Sequence, residues 1–158
     1  VLGVSLGSWV AGLVAAHDPA VHKASLLLSG GSLADMVWSG GATEHIRAGF
    51  EGRMGLSELR RAWAPLSLGT YATKLSRPGL DVQFILAERD KVVLPVLSDQ
   101  LIHQMQSAGA APRVSRLNCG HYSLALPPYA IRVGTSVSRF FRGGKRGQDR
   151  EAHRTGQA

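Results

Sequence analysis

Gly3-Val4-Ser5-Leu6-Gly7 sets a serine between two glycines near the start of the chain. That spacing suits a very tight turn from a strand into a helix. The serine sits at the apex in a strained backbone conformation, and side chains at the flanking glycine positions would collide. A serine hydroxyl is a weak nucleophile until a base takes its proton, and the base works best when a carboxylate orients its ring. The chain has six histidines. His17 and His22 flank the end of a helical stretch, His45 and His103 fall on helical segments, and His153 lies close to the last residue. His121, in Asn118-Cys119-Gly120-His121-Tyr122, follows a strand directly, and Gly120 permits an unusual turn there. Asp90 follows another strand in Ala87-Glu88-Arg89-Asp90-Lys91, with Glu88 as its local competitor and Asp81 at the strand's opposite end. Sites in parallel sheets lie beyond the carboxyl ends of the strands, which favours Asp90 and His121 as partners of Ser5. Taken singly, each has a plainer structural reading: a turn aspartate before a helix, and a loop histidine. Their joint arrangement carries the chemical one.

The elements that must position these residues alternate. Ser8 to His17 is apolar on nearly every face, which suits a buried helix, and Asp18-Pro19 stops it. Lys23 to Ser29 is a short apolar run closed by Gly30-Gly31, as expected of a buried parallel strand. From Ser32 to about Pro78 the pattern is helical and less regular, with Leu56, Leu59, Trp63 and Leu66 at helical spacing. Asp81 to Ala87 reads as the next strand. Pro95 to Ala108 reads as an amphipathic helix with Val96, Leu97, Leu101, Ile102 and Met105 on one side. Arg113 to Leu117 is a third strand and Tyr129 to Phe141 a final helix. Such alternation predicts an α/β fold, a parallel sheet flanked by helices on both faces.

On this combination the stretch from Val1 to about Arg142 resembles the C-terminal half of an α/β-hydrolase, with Gly3 to Gly7 as its nucleophile elbow. Ser32 to Trp38, Ala64 to Ser67 and the Asp90 turn are similar to a branch of esterase-like hydrolases, many of them bacterial. The resemblance implies an α/β-hydrolase domain over residues 1–142, truncated at the N-terminus, with a small helical cap insertion over about 32–78. It implies the chain order serine, acid, histidine, and so a catalytic set of Ser5, Asp90 and His121. The amide of Leu6 maps onto one oxyanion donor; the second would come from a loop after an earlier strand. Trp38, Phe50 and Trp63 are candidates to line an acyl or alcohol pocket, against the plainer reading that they form the core of the insertion. The implied activity is serine hydrolysis of an ester or related acyl bond in a small-molecule substrate, without a cofactor. The rival reading is a non-catalytic binding protein on the same fold. Only Val1 and Leu2 stand for the strand before the elbow. The chain as given is therefore expected to leave residues 23–29 as an apolar sheet edge and to be inactive by itself.

The composition narrows the alternatives. A length of 158 residues, 44 % of them apolar and 18 % charged, is enough to bury one core. No apolar run is long enough to span a bilayer as a helix. The net charge of +7 owes much to Arg139, Arg142, Lys145, Arg146, Arg150 and Arg154. Residues 143–158 are expected to form a disordered basic tail. No aromatic residue interleaves with these charges, so nucleic-acid binding by base stacking has no support. The single cysteine, Cys119, rules out an internal disulfide framework and favours a reducing, cytoplasmic setting. No His/Cys spacing suggests zinc, and Gly30-Gly31 alone is no phosphate loop.

Overall fold

A computed structural model describes residues 1–143. The expected tail over 143–158 lies outside the described residues except for Gly143. Four parallel strands form one sheet in the order β1-β2-β3-β4: Leu2–Val4, Lys23–Leu27, Asp81–Ala87 and Arg113–Leu117. The helices are α1 (Leu6–His17), α2 (Leu33–Ser39), α3 (Glu44–Phe50), α4 (Leu56–Ala62), α5 (Ala72–Leu75), α6 (Pro95–Ser107) and α7 (Tyr129–Arg142). The strand order advances one way across the sheet. Crossovers of one hand then put every connecting helix on the same face.

The alternation along β2 and β3 divides two cores. Ala24, Leu26, Val82, Phe84 and Leu86 face a large cluster with Trp9 of α1 and Leu97, Leu101 and Met105 of α6. Met36, Val37, Leu68, Ala72 and Leu75, from the stretch between β2 and β3, join that same cluster. Leu27, Ile85 and Ala87 face the opposite way, toward Leu117, Cys119 and Leu124, with Tyr129, Val133 and Val137 of α7 against them. The α7 face also buries polar groups in a chain: Ser25 Oγ donates to Gln83 Oε1 (3.0 Å), and Gln83 Nε2 donates to Ser136 Oγ of α7 (2.9 Å). Lys23 fastens the far end of α7, donating to the carbonyls of Phe140 (3.0 Å) and Phe141 (3.2 Å) where the helix dipole is negative.

Several sequence expectations need adjusting. Residues 23–29 are not left as an edge: β1 pairs with β2 in the register Leu2↔Ser25, Gly3↔Leu26 and Val4↔Leu27, so β1 is the edge strand. β2 ends at Leu27, not Ser29, because Leu28 turns into the left-handed region at φ 52°. α1 is not buried all round: Leu6, Val10 and Val14 are exposed, while Trp9, Ala11, Gly12, Ala15 and Ala16 are buried. Gly12 makes room for Leu68, since a Cβ there would come within 2.7 Å of the Leu68 methyl groups and push them aside. Val96 of α6 is also exposed, although Leu97, Leu101, Ile102 and Met105 are buried as expected. The helical pattern through Leu66 breaks at Ala62, and Ala64–Leu66 is a separate 3-10 turn containing Pro65, with Leu66 exposed.

Candidate active site

Ser5 lies at the junction of β1 and α1 with φ 52° and ψ −125°. The turn is tight enough that a Cβ on Gly3 would sit 2.1 Å from the carbonyl oxygen of Gly7. Gly3 therefore has no substitute. Gly7 differs from expectation: a Cβ there would meet nothing within 4 Å among the described residues. The collision that demands glycine acts only on the strand side of the turn. A serine at a helix N-cap ordinarily bonds its own helix. Ser5 makes no such cap bond among the described residues. Ser8 instead closes the turn, its backbone N–H (2.8 Å) and its hydroxyl (2.6 Å) both donating to the Ser5 carbonyl. The Ser5 hydroxyl is thereby left to face other groups. Leu6 is the first residue of α1, so its N–H has no carbonyl one turn earlier within the helix to bond.

The structure brings Ser5, His121 and Asp90 together. His121 Nε2 lies 3.0 Å from Ser5 Oγ, and His121 Nδ1 lies 2.8 Å from Asp90 Oδ2. The His121 and Asp90 side chains are 8 % and 3 % exposed, so this contact is shielded from water. Asp90 Oδ1 accepts the backbone N–H of Val92 (2.8 Å) and of Val93 (2.9 Å), which fixes the carboxylate plane. An ionised Asp90 can only accept, so the contact to Nδ1 puts the imidazole proton on that nitrogen. Nε2 is then an acceptor for the Ser5 O–H. Chemically, the row can move a proton off the serine while the carboxylate stabilises the imidazolium that forms.

Two features beside this row, the backbone of Leu28 and an apolar groove, gave no signal in the sequence. Among the described residues, the non-glycine residues with positive φ are Ser5 and Leu28. They adjoin each other, because Val4 pairs with Leu27 and Ser5 N–H donates to the Leu27 carbonyl (2.9 Å). A sparsely populated backbone conformation of this kind costs a residue with a Cβ on the order of 1–3 kcal/mol. The second feature is a groove of about 580 Å³ that contains Ser5 and His121 in its wall. Leu2, Val4, Leu28, Leu124 and Val133 are among its otherwise mainly apolar lining, and Tyr122 stands exposed at its border.

Trp38 and Trp63 do not line this groove. Trp38 borders a separate depression with Glu51 and Glu58. Trp63 packs edge-on against Phe50, with ring centroids 5.8 Å apart, and both lean on the main core. Cys119 is buried beside the site, in the α7-side core. Burial pushes its thiol pKa up, against the opposing pull of Arg89, which keeps it a packing group rather than a thiolate. Among the described residues, no cluster of three or more His, Cys, Asp or Glu side chains could hold a metal ion, and no helix is long and apolar enough to cross a membrane.

No family model and no curated protein sequence matches the chain. Solved structures do. The chain superposes on an acylaminoacyl peptidase of Pyrococcus horikoshii with a TM-score of 0.72 and 14 % identity, covering 96 % of this chain and 25 % of that one. A puromycin-hydrolyzing peptidase of Mycobacterium tuberculosis matches with a TM-score of 0.62 and 16 % identity, over 76 % of this chain and 18 % of that one. An esterase of Pyrococcus furiosus matches with a TM-score of 0.61 and 15 % identity, over 89 % of this chain and 53 % of that one. The chain thus spans a quarter or less of the length of the two peptidases. At these identities the likeness is one of architecture, and it agrees with the four-stranded parallel sheet and its flanking helices: the chain has the α/β-hydrolase fold.

Proposed function

We propose that the protein is a serine hydrolase that cleaves an ester or related acyl bond. The observation that carries this reading is the row Ser5 Oγ, His121 Nε2, His121 Nδ1, Asp90 Oδ2, with heavy-atom contacts of 3.0 and 2.8 Å. Ser5 Oγ attacks the substrate carbonyl carbon as its proton passes to His121 Nε2. Asp90 holds the Nδ1–H tautomer and stabilises the imidazolium. The Leu6 N–H donates to the developing oxyanion, an interaction worth roughly 3 kcal/mol in comparable sites. The tetrahedral intermediate collapses, the bond to the leaving group breaks, and His121 Nε2–H protonates that group. Water then repeats the sequence on the acyl-serine, returning the acid and the free Ser5 hydroxyl. No cofactor enters these steps. Residues 32–78 are read as a helical insertion in this domain.

The test is labelling of the full-length protein with a fluorophosphonate probe, followed by mass spectrometry. Modification of Ser5, and its loss in Ser5→Ala, is the expected result. Ser5→Ala should also lower p-nitrophenyl acetate hydrolysis on the order of 10⁴-fold or more while the fold persists. A folded Ser5→Ala protein with near-normal turnover would remove Ser5 from the chemistry.

A further inference from the structure

We propose that Leu28 is the specificity-determining residue of this site, a strained side chain that closes the apolar groove beside Ser5 and limits the length of the acyl group bound there. The inference rests on the hydrolase reading above and adds a substrate class to it, an aliphatic acyl chain.

Three observations meet at Leu28. Its backbone is left-handed, at φ 52°, where glycine or asparagine would be the ordinary choice. Strain of this kind persists only where the surroundings over-determine it, and it concentrates at ligand sites. Here the surroundings do so: Leu28 N–H donates to the Ile85 carbonyl (2.9 Å), and the next carbonyl, of Ser29, accepts the Ser98 hydroxyl (2.6 Å). A Cβ on Gly30 would already press on Leu97 and Val93, so the chain cannot shift toward α6 to relax the turn. The second observation is position. Leu28 is adjacent to Ser5 across the β1–β2 pairing, and both residues line the same groove. The third is chemistry. Val4, Leu124 and Val133 share the lining with Leu28, while Ser5 and His121 lie at the groove's reactive part. An acyl carbon bonded to Ser5 Oγ has this apolar groove open to its alkyl chain. A glycine at position 28 would relieve the backbone but enlarge the space. A leucine reduces it, and does so from a buried position in the α7-side core, where Leu28 packs in the same cluster as Ile85, Leu117 and Leu124 and so holds the groove wall rigid.

The test compares Leu28→Ala with Leu28→Gly in the full-length protein, using p-nitrophenyl acetate and p-nitrophenyl octanoate. Both variants remove the wall, so both should raise the octanoate-to-acetate ratio of kcat/KM on the order of tenfold, the scale of one or two methylenes in an apolar pocket. Only glycine relieves the backbone, so Leu28→Gly should melt higher than Leu28→Ala; if the alanine variant does not fold, the glycine variant still reports the ratio. An unchanged ratio in a folded variant whose Ser5 labels with fluorophosphonate would overturn the role of Leu28 and leave the hydrolase reading intact. Wild-type protein whose Ser5 does not label would overturn the hydrolase reading, and the acyl groove with it.

Discussion

Asp90 meets His121 because the loops that carry them are stitched together through the backbone. Glu88 N–H donates to the Leu117 carbonyl (2.9 Å), continuing the β3–β4 pairing one step, and Arg89 N–H donates to the Cys119 carbonyl (3.0 Å). The two chains then diverge into the Asp90 turn and the Gly120-His121 loop. The Asp90–His121 hydrogen bond follows from this stitching, because sheet pairing brings the two loops side by side.

The two oxygens of Asp90 have separable duties. Oδ2 faces His121 Nδ1, while Oδ1 accepts the Val92 and Val93 N–H groups. Asp90→Asn can keep an oxygen on the two amides but turns an NH₂ group toward His121, which favours the wrong tautomer. Its kcat should fall on the order of 10⁴-fold with little change in melting temperature. Asp90→Ala should lose comparable activity and also destabilise the protein by about 1–3 kcal/mol, because the buried Val93 amide and the partly buried Val92 amide lose their acceptor. Steady-state kinetics with urea unfolding of both variants separates the duties. Equal stability of the two would show that the amide contacts are dispensable.

The elbow makes an asymmetric demand on its glycines. Gly3→Ala drives a Cβ to within 2.1 Å of a backbone oxygen, which no rotamer change relieves. The turn must open, displacing Ser5 from His121. We expect a loss of about 1–3 kcal/mol in stability and at least about 10²-fold in rate. Gly7→Ala meets open space and should be close to neutral in both measurements among the contacts described. Parallel measurements of Tm and kcat/KM decide the matter; equal damage from the two substitutions would contradict the geometry.

What the sequence made legible follows from which signals are local. β3 was readable to the residue because an apolar run bounded by turn residues has few alternatives at that length, and β4 because Arg113 to Leu117 is a short stretch between the Pro112 and Asn118 breaks. The meeting of Ser5, Asp90 and His121 in space was readable because strand ends mark where such residues gather. Leu28 was not, since leucine carries no signal for φ above zero, and Gly30-Gly31 drew the boundary of β2 two residues too late. The outward face of α1 was hidden for the opposite reason. Leu6, Val10 and Val14 are as apolar as the buried Trp9 and Ala15, so periodicity had no contrast to work with. In residues 32–78, Gly40, Gly55 and Pro65 cut the chain into helices of seven residues or fewer, too short for their repeats to fix boundaries. The aromatic pair Phe50 and Trp63 illustrates the limit of residue type alone, since an edge-on pair packed against the core and a substrate wall use the same side chains.

Within that stretch one charge pair joins α2 to α4 and gives a pH signature. Arg60 Nε lies 3.1 and 3.0 Å from the two oxygens of Asp35, and Asp35 also accepts the hydroxyl of Ser32, the N-cap of α2. Partial burial pushes the Asp35 pKa up, but the bonds from Arg60 and Ser32 outweigh it and hold the carboxyl below its ordinary 3.8. A folded-state pKa below the unfolded one means that the unfolded chain takes up the proton first as pH falls. The stabilisation is therefore complete above the ordinary value of 3.8 and is lost as pH drops through the lower folded value. Arg60 is 55 % exposed, so solvent screening limits the pair to about 0.5–1 kcal/mol. The stability difference between wild type and Asp35→Asn should stay constant from about pH 8 to 5, then shrink steadily toward more acidic solution. It should also diminish in high salt at neutral pH. Urea unfolding across this range measures it. A difference that persists unchanged at the acid end would mean that the carboxylate charge of Asp35 adds nothing to stability and that α4 is held to α2 by packing.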